Sequence, residues 1–443
     1  MKLTIMNNGD YAFSGRAANI TEEKNKACAV YGKQVLNYGC VFEALPDERQ
    51  RTFFAKSFGC KRVVENHYLE TRKSVYASEK RTLTPAEYKK AYLPALKKEK
   101  PYLREPDKFV YDAALDDADA AYRNFFEGRT GFPKFVSKDK PNGNSYTTHY
   151  TNGNISIFKG KDGLPYIKLP KAGAVRFILP KGMTIESFTK PGIHILRVTV
   201  KKTSKRYTVS VGFETIIDEI KPVESISVQD VIGIDVGLKD FCHYGTRDKK
   251  ISVPNPRWIK LHAKRLRRLQ QSLSRKQYDR KTHKGSKNYY KALEKVRREQ
   301  KKTADQRRDF HHKLSRKIAD SCTIAVCEDL NIKGMMKNRH LSKAIASVGW
   351  GQFITYLSYK LERKGGRLIR VGRFFPSSQN CHVCGYKNTD VKDLSVRKWK
   401  CPVCGTFHDR DDNAVDNMIL EGIRIFMEER AAIQKTAKEA KAV

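Results

Sequence analysis

Three acidic residues that are far apart in the chain occur where their carboxylates could converge: Asp235 in VIGIDVGLKDF, Glu328 in TIAVCEDL and Asp411 in HDRDDNAVDNM. The first two follow apolar, β-branched runs of strand length, so both are predicted at the ends of buried strands. Asp411 precedes a stretch with helical apolar periodicity and is predicted in a loop that enters a helix. Carboxylates at strand ends and at a helix start can meet at one site.

Three converging carboxylates would suit the hydrolysis of a phosphodiester. In-line displacement needs both the attacking water and the leaving oxygen to be stabilised, and two divalent cations about 4 Å apart do this. Mg²⁺ prefers oxygen ligands and is commonly held by one or two carboxylates plus a substrate phosphate. Each acid alone also has an ordinary interpretation: Asp235 as a turn residue, Glu328 as an edge-strand charge and Asp411 as a helix cap. Together they predict a metal-dependent nuclease.

The strongest local pattern is a pair of CxxC knuckles, whose thiols belong to Cys381, Cys384, Cys401 and Cys404. Two knuckles at this separation predict four thiolates around one Zn²⁺, and the glycine after each knuckle allows the tight turn that this requires. Disulfides are the alternative, which a cytosolic chain disfavours. His382 and His408 adjoin the knuckles and could compete as ligands. With four thiolates and no open position, the zinc is predicted to be structural rather than catalytic.

The charge of the chain points to a polyanionic partner. There are 87 Lys and Arg against 48 Asp and Glu, a formal net charge of +39 and a pI near 9.8. Lysine and arginine at that excess favour salt-sensitive binding to nucleic acid. A membrane surface is the rival polyanion, but no apolar stretch approaches the roughly 18 residues of a spanning helix, and Met1–Asp10 lacks a signal-peptide core. A cytoplasmic, nucleoid-associated bacterial or archaeal protein that binds no membrane is expected.

Hydrophobic periodicity divides the rest of the chain. Residues 1–40 are polar and poorly periodic, which predicts a weakly ordered arm or an isolated strand. From Pro46 to Phe126 the pattern is helical, most clearly over Arg51–Tyr76 and Pro106–Phe126. From Gly131 onward, short β-like runs separated by Gly and Pro predict a small barrel. Aromatic residues in these runs could stack on nucleic-acid bases or fill the barrel core, namely Tyr146, His149, Tyr150 and Phe158.

A long basic stretch, Trp258–Ile318, follows the Asp235 strand and its predicted hairpin partner, Phe241–Tyr244. Leucine spacing and a break at Gly285–Ser286 predict two helices that fold back as an antiparallel pair. A solvated helix face usually mixes charges of both signs, whereas this one is nearly all positive, which favours a nucleic-acid groove. The residues predicted to contact nucleic acid are Lys264, Arg265, Arg267, Arg268 and Arg275, with Arg280, Lys281, Lys284, Arg297 and Arg298 on the same faces.

Several specific runs follow one another in order along the chain: SFGCKRVVENHYLETRKSVY, LKKEKPYL, AYRNFFEGRTGFPKF, KLPKAGAVRF, GIDVGLKDF, LQQSLSRKQ, FHHKLSRKIA, CEDLNIKGMM, WGQFITYLSYK, CHVCGYKN and HDRDDNAVDNMIL. This succession resembles the transposon-associated TnpB proteins and, equally, the miniature type V CRISPR nucleases descended from them. The resemblance extends from about residue 45 to about residue 425. Val415 and Asp416 stand where the family often has small residues, and the first 40 residues match no part of the pattern.

The resemblance implies an α+β multidomain, bilobed architecture. Its parts are a helical recognition module, a wedge β-barrel, and a split RuvC nuclease domain of RNase H-like fold with an inserted zinc ribbon. The implied divisions are an arm with the first wedge strand at 1–45, recognition helices at 46–127, the wedge barrel at 128–227, RuvC at 228–375 with a basic hairpin at 258–320, the zinc ribbon at 376–408, and the third RuvC motif with the tail at 409–443.

The resemblance also implies residue roles. Asp235, Glu328 and Asp411 carry over as the catalytic acids that hold two Mg²⁺, with Mn²⁺ as an alternative ion. Asp409 and Asp412 are adjacent alternatives to Asp411. The four knuckle cysteines carry over as the ligands of a structural Zn²⁺.

The activity implied by the resemblance is RNA-guided DNA cleavage, in which a guide RNA pairs with one strand of double-stranded target DNA beside a short duplex motif. Sequence choice is then delegated to base pairing, which fits a large and diffuse positive charge. Two alternatives remain, a guide-bound DNA binder that does not cut and a guide-free DNA-binding accessory protein of transposition. The sequence leaves open whether the chain is a transposon protein or a CRISPR effector, and whether it is a monomer or a homodimer.

Overall fold

The computed structural model describes residues 1–14, 20–138, 143–203, 206–279, 282, 284–393 and 395–439. Two of the predicted basic residues, Arg280 and Lys281, lie outside these described residues. The chain forms two compact units, Met1–Glu219 and Ile220–Val443. Each unit contains a sheet and buried apolar clusters of its own.

The first unit is built on a seven-stranded antiparallel sheet. Its long strands alternate buried and more exposed residues, as expected when one face of a sheet covers a core; Val209, Val211 and Phe213 are fully buried. The strands of this unit are β1 (Lys2–Ile5), β2 (Tyr11–Ser14), β3 (Lys33–Ala44), β4 (Ser145–His149), β5 (Ser156–Lys159), β6 (Pro165–Leu169), β7 (Gly173–Ile178), β8 (Ile193–Thr203) and β9 (Arg206–Asp218).

The spatial order of the seven strands is β4-β8-β9-β3-β7-β6-β5. Every neighbouring pair is antiparallel, and β3 joins the two halves because it pairs with β9 over its whole length and with β7 at Glu43 and Ala44. The predicted succession of short strands is therefore present. β4 and β5 are the ends of this order, with no pairing between them among the described residues, so closure into a barrel stays a prediction.

Helices cover the core of this sheet. The longest begins at a capping box in which the Asp47 side chain accepts from the Gln50 N–H at 2.7 Å and the Gln50 side chain accepts from the Asp47 N–H at 3.1 Å. The predicted helical segments are confirmed as single helices with a common buried interface. The helices of this unit are α1 (Ile20–Ala29), α2 (Glu48–Glu79), α3 (Pro85–Ala91), α4 (Leu93–Glu99), α5 (Phe109–Phe126) and α6 (Glu186–Thr189).

The expectation of a weakly ordered arm over residues 1–40 is wrong for the part of that segment that the structure describes. β1 and β2 pair as a hairpin, α1 follows, and β3 enters the main sheet. Leu3, Tyr11 and Cys28 are buried together in a small cluster of their own. Sequence periodicity is weak here because each element is short and buries few residues, so the apolar contacts that hold the segment are not local.

The second unit contains a five-stranded mixed sheet with the order β12-β11-β10-β15-β16. β10 is parallel to β15, and β15 is parallel to β16, whereas β11 and β12 add an antiparallel hairpin edge. The predicted Asp235 strand, its hairpin partner and the Glu328 strand are all confirmed. The strands of this unit are β10 (Val231–Val236), β11 (Asp240–Gly245), β12 (Lys250–Pro254), β13 (Tyr278–Asp279), β14 (Lys284–Gly285), β15 (Ile324–Glu328), β16 (Arg367–Val371), β17 (Lys398–Lys400) and β18 (Phe407–Asp409).

Helices pack on both faces of this sheet. Ile232 and Ile234 of β10 face a core shared with α8 and α11, whereas Val231 faces α12. Because side chains alternate along a strand, Gly233 and Asp235 lie on the same side as Val231. Strand β10 is therefore apolar on both sides, which explains its nearly continuous hydrophobic run. The helices of this unit are α7 (Trp258–Ser274), α8 (Lys287–Ser321), α9 (Ile332–Met335), α10 (Ser342–Val348), α11 (Trp350–Glu362) and α12 (Arg410–Glu439).

The predicted antiparallel helix pair is confirmed as α7 and α8. Trp258, at the start of α7, packs against Phe310 near the end of α8, with ring centroids 5.2 Å apart. Further along, the buried Glu299 carboxylate of α8 lies 2.6 Å from His262 and 3.1 Å from Arg265 of α7. Aromatic packing at one end and a buried carboxylate in the middle hold the two basic helices side by side.

The segment after Glu219 packs within the second unit. The Val223 N–H donates to the Gly365 carbonyl at 2.9 Å, and Val223 and Ile226 pack against the α12 core. Over the described residues, none of the helices is both long enough and apolar enough to cross a membrane.

Candidate active site and metal centre

Asp235 and Glu328 stand side by side at the carboxyl ends of two parallel strands. The register pairs Ile234 with Cys327, so the acids occupy the next positions on β10 and β15. Successive side chains of a strand point to opposite faces. Residues of the same parity, Val231 and Val326, lie in the core beneath α12, so both carboxylates face the α12 side of the sheet.

Asp411 reaches the same place because α12 lies unusually close to β10. A Cβ atom added at Gly233 would lie 2.5 Å from the Val415 carbonyl oxygen, so only glycine permits this approach. Val415 is thereby held over Gly233. Asp411, one helical turn earlier, then lies beyond Val415 toward the strand end that carries Asp235. The glycine in the Asp235 motif is a helix-docking position.

Contacts separate Asp411 from the neighbouring acids. The Asp409 carboxylate accepts from the N–H groups of Asp411 and Asp412 at 3.0 and 3.4 Å, so it caps α12. Asp412 lies 2.6 Å from Nε2 of His243, the residue paired with Asp235 across β10 and β11. Asp411 has neither engagement, and this favours it over Asp409 and Asp412 as the third acid.

The three carboxylates interact electrostatically. Desolvation together with the Glu328 and Asp411 charges raises the pKa of Asp235 to about 7, although Arg410 and Arg397 act in the opposite direction. Asp235 keeps a partly exposed edge while protein atoms surround most of its carboxylate. A carboxyl with this environment favours either a proton or a cation.

The other two acids have polar partners that hold them in place. The Ser377 hydroxyl donates to Oε1 of Glu328 at 2.7 Å. The Arg397 guanidinium approaches both carboxylate oxygens of Asp411, at 3.4 and 3.5 Å. Ser377, Arg397 and His243 are not predicted from the sequence, because single polar residues outside a motif carry no signal of their position in space.

The four knuckle sulfurs form a compact cluster. All four Sγ atoms lie within 4.8 Å of one another, and this is the one group of metal-ligand type in the described part of the chain that meets this separation. Two of the Sγ pairs are 3.5 Å apart, close to the roughly 3.8 Å that tetrahedral Zn–S bonds of about 2.3 Å would give. The oxygens of the three acids are spread more widely.

The two knuckles repeat the same backbone geometry. Cys381 N–H donates to the carbonyl of Tyr386 and Cys401 N–H to that of Thr406, both at 2.8 Å. Gly385 and Gly405 have φ values of 78° and 71°, the left-handed conformation that the turn after each knuckle requires. The repeated geometry confirms the predicted tight turn after each knuckle, and the cluster of four sulfurs fits a zinc ion.

The two histidines beside the knuckles have separate roles. His408 is buried, with Nε2 3.1 Å from Cys381 Sγ, and its ring packs against Trp399 at 4.4 Å between centroids. His382 Nδ1 lies 3.0 Å from the Asn413 side-chain oxygen. The group of metal-ligand type in the described residues consists of the four cysteines, and His408 lies beside one of their sulfurs.

Two asparagines tie the cysteine segment to α12. Nδ2 of the buried Asn417 donates to the carbonyls of Ser377 and Asn380 at 2.8 and 2.6 Å. Asn413, one turn earlier, donates to the Asn380 carbonyl at 2.7 Å. The same segment that leads to Cys381 thus holds Ser377 against Glu328. The i, i+4 spacing of Asn413 and Asn417 on a predicted helix was the available sequence signal.

The basic helix face is exposed as predicted. Within the described residues, only Arg265 of the five principal candidates has an acidic partner, Glu299. The others, Lys264, Arg267, Arg268 and Arg275, are exposed on α7 or at its end. The aromatic residues considered for base stacking differ in exposure. Tyr146 is buried in the core, whereas Tyr150 is 46% and Phe158 37% exposed. Burial removes Tyr146 as a surface for base stacking.

Three family models match parts of the chain. They are "Cas12f1-like, TNB domain" at residues 350–418, "Probable transposase" of the OrfB_IS605 type at 215–339, and "Helix-turn-helix domain" of the same type at 38–81. The first spans the four cysteines and Asp411, and the second spans Asp235 and Glu328. Over 38–81 the structure shows the end of β3 and the single long helix α2.

Curated relatives and a solved structure extend the match to most of the chain. A Streptomyces pristinaespiralis protein described as "Putative RNA-guided DNA endonuclease" is 30% identical over 85% of this chain and 87% of its own. An Escherichia coli K12 protein described as "Putative RNA-guided DNA endonuclease InsQ" is 26% identical over 72% of this chain and 76% of its own. The fold matches a Cas12f1 chain solved with sgRNA and target DNA, with TM-score 0.55, 12% identity, and coverage of 88% of this chain and 99% of that one. The chain therefore belongs to the TnpB family, to which the miniature type V Cas proteins are related.

Proposed function

We propose that the protein is an RNA-guided DNA endonuclease that cuts with a single RuvC site formed by Asp235, Glu328 and Asp411. The observation that carries this is the carboxylate group at the ends of β10 and β15, where desolvation and two like charges raise the pKa of Asp235 to about 7. Such a site is costly unless a cation binds it. The relatives described as RNA-guided DNA endonucleases support the same reaction.

The side chains around the acids prepare the site for metal and substrate. Two Mg²⁺ ions, or Mn²⁺, would supply charge stabilisation to the attacking water and the leaving oxygen of the phosphodiester. Asp235 and Glu328, fixed on rigid neighbouring strands, hold one side of the site, and Asp411 closes the other from α12. Ser377 orients Glu328. Arg397, beside Asp411, adds a positive charge that an incoming phosphate would meet.

The cysteine cluster would bind one structural Zn²⁺ within a ribbon at 376–408 that contacts target nucleic acid. The four sulfurs leave no open coordination position, so zinc would fold the module rather than activate water. Recognition helices at 46–127, a wedge barrel at 128–227 and RuvC segments at 228–375 and 409–443 complete the proposed organisation.

The partners we propose are a guide RNA and double-stranded target DNA, recognised beside a short duplex motif in the bacterial or archaeal cytoplasm. A net charge of +39 supports binding to nucleic acid backbones rather than to one short sequence. The exposed α7 residues Lys264, Arg265, Arg267, Arg268 and Arg275 are proposed contacts.

The test is cleavage by the protein purified with the RNA that it binds in cells carrying its native flanking DNA, assayed on plasmids with randomised flanks and Mg²⁺. Asp235→Ala should lower cutting by about a thousandfold or more, while guide and target binding stay near wild type. Asp248→Ala, at an exposed acid near the end of the β11–β12 hairpin, is the matched control and should cut normally.

Each alternative function predicts a distinct result. Guide-directed binding without cutting by the wild type would identify a guided binder. No discrete RNA in the purified protein would favour the guide-free accessory protein. Wild-type cutting by Asp235→Ala would remove the active-site assignment.

A further inference from the structure

An open cleft of about 430 Å³ lies beyond the end of β10, where α7 begins and α10 runs past it. Leu238, in the turn that follows the Asp235 strand, forms part of its floor. No residue of the proposed metal site or of the cysteine cluster lines it. The lining residues are Leu238, Asn255, Arg257, Ile259, Lys260, Ala263, His340, Lys343, Ala344, Ser347 and Val348.

Both walls of the cleft are anchored to α8. On one side, Trp258 packs against Phe310 at 5.2 Å and fixes the start of α7. On the other, the Arg307 guanidinium donates to the carbonyls of Ala346 and Ser347 at 3.0 and 3.2 Å. His311 Nε2 lies 3.0 Å from the carbonyl of Val348, the last residue of α10. The cleft is therefore held open by contacts that do not depend on a ligand.

The floor and the rim of the cleft differ in chemistry. Leu238, Ile259, Ala263 and Val348 are buried or half-buried and make an apolar floor, and none of the lining residues is acidic. The rim carries four basic side chains, all exposed, from Arg257, Lys260, His340 and Lys343. Arg257, Lys260 and Lys343 form no ion pair within the described part of the chain. A flat apolar group with an attached anion is the ligand that complements this arrangement.

A bidentate asparagine connects the cleft to the strand that carries Asp235. Nδ2 of Asn255 donates to the Leu238 carbonyl at 2.8 Å, and its Oδ1 accepts from the Arg257 N–H at 3.0 Å. Arg257 has φ 49° and ψ 45°, a left-handed conformation that a non-glycine residue rarely adopts. Asn255 therefore fixes both the backbone of Arg257 and the turn at Leu238, which lies three residues after Asp235.

We propose that this cleft binds one nucleotide of the DNA strand that enters the acid site, with its base on the apolar floor and its phosphates at Arg257, Lys260 and Lys343. Single-stranded DNA is favoured over RNA because Leu238 of the floor follows Asp235 by three residues, which places the cleft at the same end of β10 as the acids. This inference rests on the proposed function. Seating one unpaired base would hold the strand in register at the end of β10 that carries Asp235, because a base of a single strand leaves its stack at a lower cost than a base of a duplex.

The test is an abasic-site scan on the protein with its bound RNA, carried on the Asp235→Ala background so that the probe is not cut. A short single-stranded DNA with one abasic site, moved position by position, is titrated by fluorescence anisotropy. One position should weaken binding about tenfold, because loss of a stacked or buried base commonly costs that much. Leu238→Ala combined with Ile259→Ala should flatten the scan without changing RNA content.

Charge reversal gives an independent readout. Lys260→Glu with Lys343→Glu should weaken binding of the intact strand and lower its salt dependence, whereas Lys317→Glu, the same change at an exposed α8 position outside the cleft, should do neither. A flat wild-type scan would overturn the proposal, as would an RNA strand of the same sequence showing the same abasic dependence. Guided cutting by the wild type with a flat scan removes only this subsite, and a position-specific scan without cutting removes only the nuclease assignment.

Discussion

The cysteine cluster and the acid site are built in opposite ways. The cysteines lie in two short loops with the same hydrogen bonds, and each loop positions its own sulfurs. Asp235, Glu328 and Asp411 come from two strands and a helix that are distant in sequence, and they meet only because the sheet pairs β10 with β15 and α12 packs on Gly233. One site is encoded locally, and the other is a product of the tertiary fold.

The difference has an energetic consequence. Thiolates around a zinc ion are stabilised by the metal that they bind, so the module and its ion form together. The acids instead repel one another, and the buried apolar contacts of β10, β15 and α12 offset that repulsion. The two sites are nevertheless connected, because Asn413 and Asn417 hold the start of the cysteine segment against α12.

The largest expected effect comes from removing a zinc ligand. Cys384→Ser should release zinc and unfold the knuckle segment, since structural zinc contributes apparent binding free energies of about 10 to 16 kcal/mol in small modules. Zinc analysis and hydrogen exchange would show lost metal and lost protection over the cysteine segment, with β10 and β15 still protected. Cys322→Ser, at a thiol outside the cluster, should keep its zinc. Loss of protection in β10 as well would show that the acid site is not independent of the module.

The next effect is a pH dependence of the metal-free protein. Asp235 has a folded pKa of about 7, whereas the ordinary pKa of an aspartate is 3.8. Between these values the folded state keeps a proton that the unfolded state has released, so the free energy of unfolding falls as the pH rises from about 4 to about 7. In EDTA, Asp235→Asn should therefore be more stable than wild type by on the order of 2 to 4 kcal/mol near pH 8, and equal to it near pH 4. Urea unfolding across pH measures this. A stability difference independent of pH would contradict the pKa rise that desolvation and the two like charges give Asp235.

A smaller effect is expected from crowding the strand–helix contact. Gly233→Ala places a methyl group 2.5 Å from the Val415 carbonyl oxygen, so α12 must shift. Overpacking of this kind costs about 3 kcal/mol, and the shift should move Asp411 and reduce cutting while zinc content stays unchanged. Gly39→Ala is the control, since its added Cβ would have its nearest contact at 3.8 Å. Equal stability of the two variants would refute the close approach.

The smallest effect concerns the asparagine clasp, the hydrogen bonds from Asn413 and Asn417 of α12 to the segment before Cys381. Asn417→Ala leaves the Ser377 carbonyl without its side-chain donor, which costs about 1 to 2 kcal/mol when the group is buried. Because Ser377 also orients Glu328, the variant should need more Mg²⁺ for half-maximal cutting. Asn388→Ala, which loses only an exposed bond to the Asp390 N–H, should leave the Mg²⁺ requirement unchanged. Identical metal dependence in both variants would show that the clasp does not reach the acid site.

Much of the local structure followed from the sequence. The helical periods of α2 and α5, the strand runs around Asp235 and Glu328 and the basic helix pair were all predicted, because each repeats its pattern over enough residues to stand out. Periodicity did not reveal β1, β2 and α1, because these elements bury only a few side chains, including Leu3 and Tyr11. The sequence could not separate aromatic residues of the core from those exposed for base stacking, since burial of Tyr146 and exposure of Phe158 depend on partners elsewhere in the chain.

The order of residues along the chain fixes which atoms are available for chemistry: four thiols in two knuckles, three acids in strand and helix settings, and a large excess of basic side chains. The folded arrangement alone shows that Asp409 caps α12 and that Asp412 contacts His243, which leaves Asp411 directed toward Asp235. It also brings the Ser377 hydroxyl to Glu328 and the Arg397 guanidinium to Asp411. The physical reason is range: a knuckle or a helix is specified by neighbours along the chain, whereas a carboxylate group at a sheet end is specified by strand register and by how closely one helix can approach one glycine.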